Sequence, residues 1–199
     1  MKKSLGENLK QLFFIVFSVV LGIFLSERIE ESKKEREAGL LLSKLISEVN
    51  DNRKLLEEWV PYHVDIVKRL DSLNQEETFI KLFVEDVSNL FEVVLTEGSI
   101  MKDMPSANAW DIAKSHPLIV HFDYEDLLIL SKIYNQQEVT YESIPPLIEL
   151  FFSSDFNAKE KAKQNLQSFK NQMREVTTRE LQLLSYYKEA EKILESQEK

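Results

Sequence analysis

From Leu12 to Leu25 fourteen successive residues are apolar or small, and from Glu27 to Glu37 only Ile29 is apolar. Fourteen helical residues rise about 21 Å, short of the ~30 Å hydrocarbon core of a bilayer. The flanks lengthen the run. Leu9 and Ile29 are apolar, and Lys10 and Arg28 have stems long enough to carry their charges outward, so Leu9 to Ile29 makes a segment with polar groups only near its ends. Apolar side chains cover every helical face of it, whereas a surface helix keeps a polar stripe. A signal peptidase site needs small residues just past the run, and "GIFLSERIEE" does not supply them. The pattern predicts a basic tail over residues 1–11 and an uncleaved transmembrane anchor over 12–26. Its apolar surface comes from Leu12, Phe13, Phe14, Ile15, Val16, Phe17, Val19, Val20, Leu21, Ile23, Phe24 and Leu25. Ser18 and Gly22, four apart, have the spacing that lets two membrane helices approach and are candidate helix-association positions.

Past the anchor, Glu30 with Lys34, Glu31 with Lys34, and Lys33 with Glu37 place opposite charges at helical spacing. Each such pair contributes only ~0.2–0.5 kcal/mol, yet together they support a charged helical stalk over 27–41. An all-helical bundle is expected over 42–199. Its first stripe is Leu42, Ile46, Val49, Leu56, Val60, Val67 and Leu70, with polar interruptions at Arg53 and His63. Pro61 is expected to kink or divide that helix. A second helix is expected from Glu76 to Leu95, followed by the loop "TEGSIMKDMPS". Ser106 is placed to cap a short helix holding Trp110 and Ile112 and stopping at His116–Pro117; Asp123 is placed to cap the next, with Leu127, Leu130, Ile133 and Tyr134 inward. "IPPLIELFF" reads as a short apolar helix with prolines in its first turn. The final helix, about 157–196, carries Leu166, Phe169, Met173, Val176, Leu183, Tyr187, Ala190 and Leu194. Two long amphipathic helices enclosing short ones predict an antiparallel pair that closes an all-α bundle.

Composition narrows the functional classes. Four glycines and five prolines in 199 residues are too few for an all-β chain. No cysteine is present, which removes disulfides, thiol catalysis and cysteine-ligated metals. The net charge is −9, and beyond the first eleven residues it is −11 (22 basic, 33 acidic), so nucleic acid is not an expected partner. No Glu-x-x-His pair occurs, because Val60, Ala113 and Leu118 stand three before His63, His116 and His121. His116 and His121 lack a third metal ligand. There is no Gly-x-Ser-x-Gly turn and no glycine-rich phosphate loop. No enzyme activity and no cofactor are expected. The aromatic load includes Trp59, Trp110 and Tyr134, which read as core residues or as the lining of a partner groove. Three basic residues before the apolar run and four soon after it leave the charge rule for membrane orientation balanced.

The apolar run passing into a charged helix, then "LLSKLISEVNDNRKLLEE" with Glu48 and Asn52 beside the leucines, then "NAWDIAKSH" and "LSKIYNQQ", resembles a domain-of-unknown-function family of small bacterial single-pass membrane proteins. The resemblance spans most of residues 9–141 and implies a cytoplasmic N-terminus, an inner-membrane anchor and a periplasmic helical domain. It brings no catalytic residues. The tail "MKKSLGENLK" is less basic than the family pattern. The reading that follows is a membrane-anchored helical scaffold or accessory subunit. It would act through contacts with the bilayer and with another membrane or periplasmic protein, or by self-association. The rival reading is a ligand-sensing bundle that signals through a membrane partner, since eleven N-terminal residues house no output domain.

Overall fold

The computed structural model describes residues 5–73, 76–101 and 103–197, with side chains from Leu9 to Glu191 within those ranges. Among the described residues the fold is all-α: α1 (Leu5–Leu73), α2 (Glu77–Glu85), α3 (Ser88–Val93), α4 (Asn108–Ser115), a 3-10 turn (Pro117–His121), α5 (Tyr124–Tyr141), α6 (Ile144–Phe151) and α7 (Ala162–Gln197). The most extensive packing is between α1 and α7, then α5 and α7. The two long helices run antiparallel. Arg53 meets Glu191 at 3.0 Å, Lys188 meets Glu57 at 3.4 Å, and Asp71 meets Arg174 at 2.6 Å, so α1 numbers rise as α7 numbers fall.

α1 is one unbroken helix of 69 residues, about 104 Å at 1.5 Å per residue. Its N-terminal part is the one described segment long and apolar enough to cross a membrane, and none of that window is buried in the protein. The first buried residue among the described side chains of α1 is Ala38. Of the two outcomes expected of Pro61, a kink or a division, the division does not occur. The ring costs one backbone bond on the exposed side, while Val60 and His63 on either side of it are held in the core.

The expected second helix is in fact two. Asp86 is extended (φ −152, ψ 122), its carboxylate accepts from the Ser88 amide at 2.8 Å, and the Asn89 amide donates to the carbonyls of Leu82 and Asp86. These short polar side chains offer the backbone local partners that compete with helix continuation. Asp123 makes no side-chain cap at the start of α5. The last helix begins at Ala162 rather than near Asn157, because Asn165 turns back to the carbonyls of Asp155 and Phe156. Leu194 lies outside the described side chains.

At one end of the bundle Phe156 joins α2 to α7, with its ring 5.2 Å from Phe83 and 5.9 Å from Phe169. Phe151 ties α6 to the same group, 6.0 Å from Phe169 and 5.3 Å from Phe91. Edge-on and tilted pairs at these separations add about 0.5–1.5 kcal/mol each beyond area burial.

Candidate functional site

Residues 94–107 join α3 to α4, and their described residues have no regular structure. A loop of that length inside a small bundle needs partners for its backbone. They come mostly from one face of α1, in reverse numerical order. Arg69 donates to the Val93 carbonyl at 3.2 Å and to Thr96 at 3.1 Å. The Tyr62 hydroxyl donates to the Ser99 carbonyl at 3.0 Å and accepts from the Glu97 amide at 3.3 Å. His63 reaches the Ile100 carbonyl at 2.6 Å. Asn52 closes a two-way pair with Ser106, donating to its carbonyl at 2.7 Å and accepting from its amide at 2.8 Å. The loop is thereby laid antiparallel along α1.

Glu48 finishes the run. One carboxylate oxygen accepts from the Ser106 hydroxyl at 2.8 Å and the Ala109 amide at 2.9 Å; the other accepts from the Tyr134 hydroxyl at 2.7 Å and the Trp110 amide at 3.4 Å. Free amides and the positive dipole end of α4 favour a negative charge there. Ser106, expected from sequence to cap this helix, accepts from the Asn108 amide at 3.2 Å and is itself oriented by Glu48. Gln137 of α5 donates to the carbonyls of Pro105 and Ser106 at 3.0 and 3.1 Å and accepts from Tyr187 of α7 at 2.6 Å. α1 and α5 therefore hold one dipeptide, with α7 bracing Gln137.

His63 is fully buried, with Nδ1 2.6 Å from Glu180 of α7 and the ring 5.8 Å from Trp59. A carbonyl only accepts, so Nε2 carries hydrogen toward Ile100. Burial, the largest single influence, depresses the imidazole pKa; the hydrogen bond and charge of Glu180, with the Ile100 carbonyl, outweigh it and raise the pKa above the ordinary histidine value. Glu180 thus favours the imidazolium form of His63, and Tyr141 lies 3.5 Å from the other Glu180 oxygen. Burial first, and the adjacent Glu48 or Glu180 next, push the phenols of Tyr134 and Tyr141 far upward, so both remain O–H donors.

The pinned loop forms one wall of a cleft of about 590 Å³, in which Leu95, Ile100, Met101 and Met104 face Ile148 and Phe152 at α6. Gly98, which also lines it, has φ +75, where a side chain would strain the backbone.

Of the residues singled out from sequence, the anchor side chains Leu12 to Leu25 lie exposed along α1, with the Ser18 hydroxyl donating to the Phe14 carbonyl at 2.7 Å and open space around Gly22. Trp59, Trp110 and Tyr134 are all buried; Trp110 stacks on Tyr134 at 5.2 Å and 2°. They are core residues, and the cleft is lined by others. His116 accepts from the Leu118 amide at 3.2 Å and His121 lies 3.5 Å from Glu31, which gives each a separate local role. Among the described residues no group of three or more potential ligands is placed to hold a metal. The fold and site define an all-α bundle carried on a helix long and apolar enough to cross a membrane, with a pinned loop and an apolar cleft. No family model matches the chain, and no curated protein or solved structure shows significant similarity to it.

Proposed function

We propose that this is a bacterial inner-membrane accessory or scaffold subunit, anchored by residues 12–26, whose periplasmic helical domain works through protein contacts and without catalysis. The observation that carries the reading is the continuity of α1: a wholly exposed apolar segment runs without a break into the helix that pins loop 94–107. Such a segment has no partner within the bundle and is satisfied by lipid. The absence of a small-residue cleavage pattern in "GIFLSERIEE" supports retention of the anchor. The net −11 beyond the tail disfavours nucleic acid and anionic lipid surfaces as partners of the bundle.

Alkaline carbonate washing tests the anchor: the full chain stays with the membrane, and its release would overturn the reading. Cross-linking in native membranes tests the role. Recovery of one stoichiometric partner is the expected result, and recovery of the protein alone would overturn it. The ligand-sensing reading draws on one specific feature, the His63–Ile100 hydrogen bond, which links the cleft wall directly to the helix that carries the anchor segment.

A further inference from the structure

We propose that the cleft between loop 98–104 and α6 docks an amphipathic helix of a partner protein, with an apolar face entering the cleft and lysines or arginines along its edges. This rests on the accessory reading and gives the partner's chemistry.

α6 is apolar on both sides. Ile144, Leu147 and Phe151 pack inward, while Ile148 and Phe152, four apart, stand 44% and 77% exposed, and Met104 across the cleft is 49% exposed. Apart from Glu149 the outward face is apolar too, and an apolar helix face is normally covered. The volume lies within the roughly 300–1,000 Å³ usual for binding clefts. Its wall is held in place by the His63, Tyr62 and Asn52 bonds, so binding need not first order the loop. Met101 and Met104 provide flexible thioether side chains that adapt to an incoming apolar face.

Charge selects the occupant. Asp103 lines the cleft, and Glu92, Glu97, Glu142 and Glu149 are exposed on the segments that frame it. None of the five forms an ion pair with a described residue, whereas acids along the α1–α7 seam are matched: Glu57 with Lys188, Asp71 with Lys170 and Arg174, Glu191 with Arg53. Lys102 is the one cation in the framing sequence and lies outside the described residues. Five carboxylates against one lysine leave the apolar cleft edged by net negative charge, which attracts a cationic amphipathic segment and repels an anionic amphiphile such as a fatty acid. Apolar anchors at i, i+3, i+4 and i+7 suit a groove walled by one helix and one loop.

The test uses the full chain in phosphatidylcholine nanodiscs. The probe is a fluorescein-labelled synthetic helix with leucines at those positions and lysines flanking them, read by anisotropy against empty nanodiscs. Saturable binding to the protein is expected, weakened about tenfold or more by Ile148→Lys or by Phe152→Ser, and weakened similarly when every peptide lysine is replaced by glutamate. Both substituted positions are solvent-exposed, and unchanged circular-dichroism melts verify that the variants fold. Three results overturn the proposal: no saturable binding up to about 1 mM, which is beyond useful affinity; equal binding of the lysine and glutamate peptides; or equal binding by the wild type and both variants. Recovery of a stoichiometric partner together with failure to bind the peptide would remove this assignment and leave the accessory reading intact. Peptide binding with no partner in native membranes would do the reverse.

Discussion

Replacing His63 by leucine removes the cation of a pair whose members are 0% and 1% exposed, and leaves Glu180 with the Tyr141 hydroxyl at 3.5 Å as its remaining partner. It also deprives the Ile100 carbonyl of its 2.6 Å donor. Removing one partner of a buried pair typically costs about 3–5 kcal/mol, because the other charge stays in a medium that solvates it poorly. For a chain of this size 1 kcal/mol shifts Tm by about 2–4 °C, so His63→Leu should melt about 6–20 °C below the wild type. Glu180→Leu should be milder, about 1–3 kcal/mol, since a neutral imidazole keeps its Nε2 hydrogen on Ile100 and loses only one acceptor contact. The double variant should cost about 2–3 kcal/mol less than the sum of the singles, as no unpaired charge remains. Circular dichroism at the helical band, on full-length protein in detergent at pH 6, measures all three. The anchor segment is outside the bundle, so the transition reports the bundle. Single-variant costs that add to the double within about 0.5 kcal/mol would refute the coupling, and with it the view that α1 and α7 are clamped by charge at this level.

The same pair gives a pH dependence: with the folded-state pKa of His63 raised above its unfolded value, its contribution is complete below about pH 6.5 and is lost as pH rises through the folded value, so wild-type Tm should fall from pH 6 to 9 by more than that of His63→Leu. Asn52→Leu should cost about 1–3 kcal/mol by orphaning the Ser106 amide and carbonyl, and hydrogen exchange should accelerate in 98–106 while the far aromatic cluster stays protected; uniform protection would contradict the pinning. Leu56→Asp and Met173→Asp, at positions 2% and 0% exposed, should each lose several kcal/mol, whereas Glu31→Ala on the exposed stalk should stay within ~0.5 kcal/mol; equal melts for all three would place the α1 stripe at the surface.

The helical frame was legible because apolar spacing of three and four is a local signal, and it located both long helices and their pairing. Helix breaks were less legible. The interruption at Asp86 arises from two polar side chains, Asp86 and Asn89, bonding forward and backward to the backbone, a competition that apolar spacing does not register. The division that Pro61 allowed does not occur: core contacts on both sides of it keep the helix in one piece.

The site was legible in phase and illegible in chemistry. From Leu45 onward the buried stripe of α1 runs Leu45, Val49, Asn52, Leu56, Val60, His63, Ile66 and Leu70 in steps of three and four, with Trp59 buried beside Val60, so Asn52 and His63 stand where the stripe calls for leucine. Along α7 Glu180 falls in the same way between Met173, Val176 and Leu183, as does Gln137 on α5, four residues past Ile133. A polar residue in phase with a core stripe reads from sequence as an interruption. Asn52, His63 and Gln137 are instead sent inward to meet the loop backbone, and Glu180 to meet His63; the pairs Asn52–Ser106, His63–Glu180, Asn52–Gln137 and Gln137–Pro105 are 54, 117, 85 and 32 residues apart. Because burying an unpaired amide or ion costs more than a leucine there would contribute, an in-phase polar residue implies a distant partner even before that partner can be named. Three such residues on α1 and α5, with Glu180 of α7 behind one of them, imply a segment with unpaired backbone beside them, and the loop between α3 and α4 meets the requirement.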